Sequence, residues 1–383
     1  MIDFNTVRQF NFPTTIRFGA GAIKELPDHL LANGLCRALL VTDPMVSGLD
    51  FFNAIVESLS AKSIAVEVFS DIHKNPVKSD VLKGGDTYKA TNRDCIIGIG
   101  GGAAMDVARA IVLRVNHHRD LFDYDDLIGG DQYVTEDVPY FITVPTTSGT
   151  GSEVGRSAII SEDDTHRKRI LFAPKLMAKI VFADPLLTME LPAFITAATG
   201  MDALTHNMEA FISKNFHPLS GGIGLEGIYL INQSISAAVN KPDLESRSKM
   251  MIASLMGAVA FQKGLGVVHS LAHPLSSLLD THHGLANAVN LPYGMRFNAS
   301  GMEAEFKRMA TAMELNDTTG EAVVNHLLEL NQQLGLPVRL RDIGVNEAHI
   351  ETLADLALAD FCHPNNPKPV TRNDFKHLYI EAL

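Results

Sequence analysis

Between residues 36 and 182 the chain alternates short apolar runs with stretches that have helical spacing. The predicted strands are 36–42, 64–69, 94–99, 140–144 and 179–182, and the predicted helices between them are 46–60, 79–92 and 103–115. Continuous apolar strands are typical of a sheet that is covered on both faces. The alternation therefore predicts βαβ units and a parallel sheet.

The strand patterns stop after the sequence Ala183-Asp184-Pro185. From there to the C-terminus, helical patterns rich in Ala, Met and Leu dominate. This change predicts an α/β domain over residues 1–188 and an all-helical domain over residues 189–383. A chain of 383 residues is long enough for two domains that each have a core of their own.

Charge and composition narrow the classes of partner and location. The formal charge is −12 and basic residues are concentrated only in the short run 166–169, so a nucleic-acid partner is not expected. A bilayer needs about 20 apolar residues in a row, and neither such a run nor a secretory signal is evident, so we expect a cytoplasmic protein without a membrane partner. The three cysteines, Cys36, Cys95 and Cys362, are too few and scattered for a disulfide framework or a Cys-based zinc site.

Residues 94–106 combine a predicted strand, a glycine turn and the start of a helix. Glycines let the backbone approach a phosphate, and a helix start offers free N–H groups. The match to the dinucleotide fingerprint, Gly98-x-Gly100-x-x-Ala103, is loose. The segment therefore indicates either a pyrophosphate site or only a tight turn.

Two neighbouring features bear on the same choice. Asp43 ends a predicted strand, where a carboxylate would accept a hydrogen bond from a ribose 2′-hydroxyl and repel a 2′-phosphate, which favours NAD over NADP. Alternatively, Asp43 opens a turn or caps the next helix, because it precedes Pro44. Loop 145–153 gathers hydroxyls and glycines after a strand, as a ligand-binding loop or simply as a connection.

A cluster of histidines marks the second half of the chain. Asp202 and His206 are four residues apart, so on a helix they share a face, and His269 and His273 repeat that spacing. Two adjacent histidines follow at 282–283. One such pair is common by chance, but this density indicates a metal site. Nitrogen and oxygen donors suit Fe(II), Mn(II), Co(II), Ni(II) or Zn(II).

Together these segments resemble the iron-containing, or group III, alcohol dehydrogenases. The matching segments, in family order, are Gly100-Gly101-Gly102-x-x-x-Asp106, Pro145-Thr146-Thr147-x-Gly149-Thr150-x-Ser152-Glu153-Val154, Gly200-x-Asp202-Ala203-Leu204-Thr205-His206, Gly264-Leu265-Gly266-x-x-His269-x-x-x-His273-Pro274 and His283-Gly284-x-x-Asn287-Ala288. The resemblance implies a Rossmann-like N-terminal domain with a parallel sheet plus an all-α C-terminal domain, the fold shared with dehydroquinate synthase. It also implies an NAD- and divalent-metal-dependent oxidoreductase that interconverts a short-chain primary alcohol and its aldehyde, with Fe(II) or Zn(II), as a homodimer or larger assembly.

The resemblance also assigns roles to residues. Its four metal ligands fall on Asp202, His206, His269 and His283. His273 corresponds to the histidine that relays the alcohol proton. The coenzyme contacts fall on Asp43, Gly100, Gly101, Gly102, Asp106, Thr146, Thr147, Thr150 and Lys168.

Arg156 suggests a substrate class, because it stands near where the family holds its substrate. A guanidinium there would pair with a carboxylate, so an ω-hydroxy acid such as 4-hydroxybutyrate is a predicted substrate. The alternative is that Arg156 pairs with a local carboxylate, Glu153 or Asp164. Cys362 and His363, in the C-terminal segment, are two further candidates for substrate contact.

Two other functions remain open on the sequence. One is a sister-family enzyme, either a zinc polyol dehydrogenase resembling glycerol dehydrogenase or a lyase like dehydroquinate synthase, for which a three-ligand site is expected. His206 supplies a fourth ligand here, which disfavours that alternative. The other is a non-catalytic protein that binds NAD or metal, against which the intact ligand set and His273 argue.

Overall fold

The structure is a computed structural model that describes residues 11–383. These residues form two compact units. The α/β unit comprises Pro13–Thr147 and Gly151–Glu190, and the helical unit comprises Leu191–Leu383 with Ser148–Thr150 and residues 11–12. The domain boundary at residue 188 stays a prediction.

The strands and helices of the α/β unit alternate along the chain. Its strands are β1 (Thr15–Phe18), β2 (Arg37–Val41), β3 (Ala65–Phe69), β4 (Cys95–Gly100), β5 (Tyr140–Pro145), β6 (Ser157–Ser161), β7 (Lys168–Phe172) and β8 (Ile180–Ala183). Its α-helices within the described residues are α1 (Leu26–Ala32), α2 (Asp50–Ala61), α3 (Lys78–Ala90) and α4 (Gly102–Asn116). In residues 13–190 a parallel sheet of order β1-β8-β5-β4-β2-β3 forms, and β6 pairs with β7 in an antiparallel hairpin.

Both faces of this sheet are buried, which explains the continuous apolar runs. Leu39 and Ile96 belong to one hydrophobic cluster, whereas the residues that follow them, Leu40 and Ile97, belong to another. Successive side chains on a strand point to opposite faces, so each face needs its own apolar residues. The predicted parallel α/β architecture is confirmed. The β6–β7 hairpin and β1 were not predicted.

The helical unit runs from α5 to α13. Its α-helices within the described residues are α5 (Ala193–Ile212), α6 (Pro218–Asn240), α7 (Leu244–Ala260), α8 (Val267–Leu279), α9 (His283–Ala299), α10 (Glu303–Ala312), α11 (Gly320–Gln333), α12 (Ile350–Leu358) and α13 (Arg372–Ala382). Helix α5 is the central element, buried almost throughout after Thr196 and packed against α6, α7 and α9. A helix that is apolar on most faces is surrounded by others. The predicted all-helical architecture of this half is confirmed.

No single helix in residues 11–383 is long and apolar enough to cross a membrane. One pair, Leu244–Lys263 with Val267–Leu279, meets the criterion of length and composition jointly and is bent by 107°.

Candidate active site

Four side chains from three helices of the helical unit converge. Asp202 and His206 lie on α5, His269 lies on α8, and His283 is the first residue of α9. One nitrogen or oxygen from each lies within 4.8 Å of the others. The Nε2 atoms of His283 and His206 are 3.5 Å and 4.0 Å from Asp202 Oδ1. The structure thus brings together the four residues that the sequence nominated as metal ligands.

A glycine allows α9 to begin against α5. A Cβ atom added to Gly284 would lie 2.4 Å from the carbonyl oxygen of Ala198 and 3.3 Å from Asp202 Cβ. Such a contact is closer than any side chain tolerates, so a larger residue would push the start of α9 away. Gly284 therefore lets the preceding residue, His283, reach Asp202.

The charges of the cluster fit a divalent cation. Burial alone raises the pKa of Asp202, but the three imidazoles, His206 most strongly, outweigh it and lower the pKa to about 2. Burial holds the pKa of His269 well below its usual range, so this ring is neutral. An ionised carboxylate and imidazole nitrogens, without any thiolate, form a donor set suited to Fe(II), Zn(II) or a similar ion.

Two residues that the sequence did not nominate hold this cluster in place. Glu209 Oε2 lies 2.6 Å from His269 Nδ1, and its other oxygen accepts the N–H of Val268 at 2.7 Å. Asn287 donates from Nδ2 to Asp202 Oδ1 at 2.7 Å. The same amide nitrogen lies 3.1 Å from His283 Nε2 and 3.4 Å from His269 Nε2. Partners of this kind fix the tautomer and orientation of metal ligands.

Spacing offered a signal for both residues. Glu209 lies two helical turns after Asp202 on α5, and Asn287 lies one turn after His283 on α9. Positions separated by one or two turns share a helix face. A search for polar residues at those offsets would therefore have found them.

His273 lies beside the cluster. Its ring stacks on that of His283, with centroids 5.3 Å apart and an angle of 18° between the planes. The rings of Phe361, at 5.5 Å, and His269, at 5.8 Å, are also close to it. Phe261 lies 5.3 Å from the ring of His206. Aromatic rings thus flank two of the site's histidines.

In the α/β unit, the glycine turn forms the junction of β4 and α4. Gly100 has a φ of +149°, and a Cβ atom there would lie 2.7 Å from Ala104 Cβ and 3.5 Å from Asp43 Oδ2. The carbonyl oxygen of Gly100 accepts the N–H of Thr146 at 3.0 Å, and Thr147 Oγ1 would lie 3.3 Å from a Cβ on Gly101. The turn therefore gathers several nominated coenzyme contacts at the carboxyl ends of β2, β4 and β5, where parallel sheets bind ligands.

Asp43 does have the structural role that the sequence left open. Its Oδ1 accepts the N–H groups of Met45 and Val46, each at 2.9 Å, and so caps the turn after β2. Its Oδ2 faces Gly100 instead. One oxygen therefore serves the fold, while the other lies at the glycine turn.

Asp106 is engaged within the protein. Its Oδ1 accepts the hydroxyl of Ser152 at 2.8 Å, and its Oδ2 accepts the N–H of Ile159 at 3.1 Å. Buried Arg109 lies 3.4 Å from Oδ1 and donates to the carbonyl oxygen of Ser157 at 2.8 Å. Asp106 thus links the loop that follows β5 with strand β6. Its contact with a coenzyme stays a prediction.

The remaining residues nominated as coenzyme contacts lie in three segments. Lys168 is the first residue of β7, and its charge acts on Asp106. Thr150 belongs to the helical unit, in the segment whose Gly149 carbonyl accepts the hydroxyl of Ser254 at 3.1 Å. Gly102 begins α4. Their roles stay predictions.

Arg156 is partly buried, and its guanidinium lies over the ring of Phe172 at 5.4 Å. Within residues 11–383 it makes no ion pair, so neither Glu153 nor Asp164 neutralises it. Burial lowers the pKa of Arg156. The guanidinium therefore has a flat apolar support and no acidic partner in the described part of the chain.

Cys362 and His363, the two C-terminal candidates for substrate contact, have different surroundings. Cys362 is buried, and its sulfur lies within 4.8 Å of ligand atoms of His273 and Asp360. His363 turns to other partners, since its Nε2 lies 3.0 Å from the Leu358 carbonyl oxygen and its ring meets Phe375 edge-on. A substrate contact by either residue stays a prediction.

Comparison with known proteins gives two family matches. The model of the iron-containing alcohol dehydrogenases matches residues 13–185, and that of the C-terminal part of the Fe-containing alcohol dehydrogenase family matches residues 196–383. The chain therefore belongs to the iron-containing alcohol dehydrogenase family. The resemblance predicted from its motifs is confirmed, and so is its identification as an oxidoreductase enzyme. The non-catalytic alternative is thereby set aside.

Relatives of this iron-containing alcohol dehydrogenase match over nearly its whole length. It is similar to a 4-hydroxybutyrate dehydrogenase of Cupriavidus necator, with 37% identity over 97% of this chain and 98% of that protein. It is 31% identical to an NAD-dependent methanol dehydrogenase of Bacillus methanolicus, over 98% and 99% of the two chains. A crystal structure of 1,3-propanediol oxidoreductase superposes with a TM-score of 0.94 at 32% identity, covering 98% of this chain and all of that one.

Proposed function

We propose that this enzyme uses NAD and a divalent metal to interconvert ω-hydroxy acids of short chain, such as 4-hydroxybutyrate, with the corresponding aldehydes. The observation that carries the proposal is the convergence of Asp202, His206, His269 and His283 beside His273. Such a cluster combines a cation site with a proton acceptor, the two groups that alcohol oxidation requires.

The four converging residues would hold the metal, for which Fe(II) is proposed from the family and Zn(II) is the alternative. When bound, the ion acts as a Lewis acid on the substrate oxygen, and NAD supplies the hydride acceptor. Glu209 directs His269 Nε2 to the cluster, and Asn287 holds Asp202. His273 accepts the alcohol proton during oxidation and returns it during reduction. A homodimer or larger assembly in the cytoplasm stays a prediction.

The choice of NAD rests on Asp43. Because its Oδ2 faces the glycine turn while Oδ1 caps the chain, the carboxylate can meet a ribose hydroxyl without losing its structural role. Asp43→Gly should shift the ratio of kcat/KM for NADP to that for NAD upward, since it removes the charge that repels a 2′-phosphate. Asp43→Asn is the matched variant, because Asn keeps the cap but not the charge. An unmoved ratio in both variants would leave Asp43 a turn residue only.

Arg156 supports the substrate class. Arg156 is partly buried and has no acidic partner in the described residues, so a carboxylate of the substrate would stabilise its charge. The guanidinium lies 5.4 Å from the centroid of the Phe172 ring, and its planar fork can pair bidentately with a carboxylate. The similarity to the Cupriavidus necator enzyme, whose name states 4-hydroxybutyrate, favours the same class.

The test compares kcat/KM for 4-hydroxybutyrate with that for 1-butanol. A charge-assisted hydrogen-bond pair contributes about 1.5–3 kcal/mol, so we expect the acid to be preferred by about 10- to 100-fold. Arg156→Ala should abolish that preference and leave 1-butanol oxidation within about threefold. Arg167→Ala, which changes an exposed arginine of the same hairpin, is the control. No preference for the acid, or a preference that survives in Arg156→Ala, refutes the substrate proposal.

A further inference from the structure

Asp360, which the sequence did not nominate, is a buried carboxylate with both oxygens engaged next to His273. It lies between α12 and α13, and its side chain is 8% exposed. Oδ2 accepts from His273 Nδ1 at 2.7 Å. Oδ1 accepts from the Ser270 hydroxyl at 2.6 Å and from the Cys362 N–H at 2.9 Å. The carboxylate thus connects the segment after α12 to two residues of α8.

The charge of Asp360 fixes the tautomer of its partner. Burial alone raises the pKa of this carboxyl, but His273 and the hydrogen bonds hold it well below its usual range. An ionised carboxylate only accepts hydrogen bonds, so the hydrogen of the 2.7 Å contact belongs to His273 Nδ1. In the neutral ring, Nε2 then carries the lone pair.

Three neighbouring rings contact the imidazole of His273. The ring of His283 stacks on that of His273 with an angle of 18° between the planes, and the plane of Phe361 is tilted by 30°. The ring of His269 meets that of His273 edge-on, at 71°. These contacts fix the plane but do not distinguish the two ring nitrogens, because a half-turn of the imidazole keeps the same stacking. The hydrogen bond to Asp360 does distinguish them.

A second link holds the carboxylate itself. The Ser270 hydroxyl donates to Asp360 Oδ1 and accepts the N–H of His363 at 2.9 Å. With the Cys362 N–H on the same oxygen, Asp360 is bound at three points. The backbone of residues 362–363, rather than their side chains, therefore helps to position the Asp360–His273 pair.

We propose that Asp360 is a positioning residue for the proton transfer, holding His273 in the tautomer and orientation whose Nε2 receives the alcohol proton. This inference rests on the proposed function. In oxidation the proton moves from the alcohol oxygen to Nε2, the Nδ1 hydrogen stays on the ring, and Asp360 remains ionised and stabilises the imidazolium. Reduction returns the same proton to the substrate oxygen.

The chain contains a matched control for a broken Asp–His hydrogen bond. Asp80 is fully buried in the α/β unit, and its Oδ1 lies 2.8 Å from Nδ1 of His73, whose side chain is 62% exposed. Asp80→Asn therefore disturbs a pair of similar geometry in the unit that does not contain the four-residue cluster. The substitution measures the general cost of losing such a bond.

The experiment compares Asp360→Asn with Asp80→Asn in the Zn(II)-loaded enzyme. An amide can donate to Nδ1 and so favours the opposite tautomer, so kcat for alcohol oxidation should fall about 10²- to 10⁴-fold in Asp360→Asn. KM, metal content and NAD affinity should stay within about twofold, and Asp80→Asn should keep its kcat. A kcat in Asp360→Asn within threefold of wild type overturns the proposal.

A spectroscopic measurement covers the case in which Asp360→Asn does not fold. Selective ¹⁵N labelling of histidine in the wild-type Zn(II) enzyme, with the His273 signals assigned through their loss in His273→Gln, reports which ring nitrogen carries hydrogen. We expect a protonated Nδ1 and an unprotonated Nε2, and the reverse pattern overturns the proposal. This measurement needs no turnover, so it tests the role of Asp360 separately from the proposed function. The proposed function fails if the wild-type enzyme oxidises no alcohol.

Discussion

The two units of the molecule build their candidate sites from different parts of the chain. In the α/β unit the site is mainly backbone, a glycine turn at Gly100 with loops at neighbouring strand ends, and the carboxylates of Asp43 and Asp106 also hold the fold. In the helical unit the site consists of side chains from α5, α8 and α9 that converge on one another. A backbone site should be sensitive to added atoms, and a side-chain site to lost donors.

The largest expected effect is the loss of a donor in the helical unit. Asp202→Ala removes the one carboxylate among the four converging residues, and with it the charge that balances a divalent ion. We expect bound metal to be lost and kcat/KM to fall by at least about 10³-fold, while NAD affinity changes less than twofold. Metal analysis and NAD titration check this, with Asp317→Ala, at an exposed position, as control. Stoichiometric metal in Asp202→Ala would contradict the ligand assignment.

The reciprocal test adds an atom in the α/β unit. Gly100→Ala forces a side chain into a φ of +149° and places its Cβ 2.7 Å from Ala104 Cβ. Strain and overpacking together should lower the free energy of unfolding by about 3 kcal/mol, with weaker NAD binding and unchanged metal content. Gly48→Ala is the control, because no atom lies within 4 Å of its added Cβ. Equal shifts of the urea midpoint in both variants would contradict this account.

A smaller effect is expected from the residue that supports the proposed metal ligands. Asn287→Ala removes the donor to Asp202 Oδ1, and the affinity for Zn(II) should fall about 10- to 100-fold in chelator competition. Asn290→Ala is matched, since Asn290 is also buried on α9 and donates to the Ala286 carbonyl oxygen. If both variants lose the same affinity, Asn287 acts through packing alone.

The smallest effect concerns a buried carboxyl of the α/β unit. Burial, opposed only in part by its own backbone N–H and by Arg109, raises the pKa of Glu153 from 4.5 to about 7. The folded state then retains a proton that the unfolded chain releases, so stability from this group is complete below about pH 4.5 and is lost as the pH rises through 7.

Glu153→Gln should therefore flatten the pH dependence of the free energy of unfolding between pH 5.5 and 7.5 by about 1–2 kcal/mol. Urea unfolding across that range measures the change. Glu190→Gln, at an exposed position, should leave the dependence as in the wild type. An identical pH dependence in wild type and Glu153→Gln would show that Glu153 is not protonated in the fold near neutral pH.

The sequence predicted local secondary structure better than contacts between distant segments. The strands and helices of residues 36–182 were predicted because their apolar patterns are local and each face of the sheet needs its own residues. The hairpin β6–β7 was missed, because its strands adjoin the polar turn 162–167 and β7 begins with the charged residues Lys168 and Arg169. The spacing of Glu209 from Asp202 and of Asn287 from His283 carried a signal, but Asp360 was missed because nothing in its own segment marks it as the partner of the distant His273.

By itself, the sequence determined the order of elements, the types of donor available for a metal, and the shared helix face of Asp202 and His206. These features depend on backbone sterics and on the periodicity of a single segment. The resemblance to the family already assigned His283, but only the tertiary structure decided that the neighbouring His282 caps α9 by accepting the N–H of Leu285 and that Asp360 binds His273. Contacts between distant segments depend on how helices pack, a property that no single segment carries.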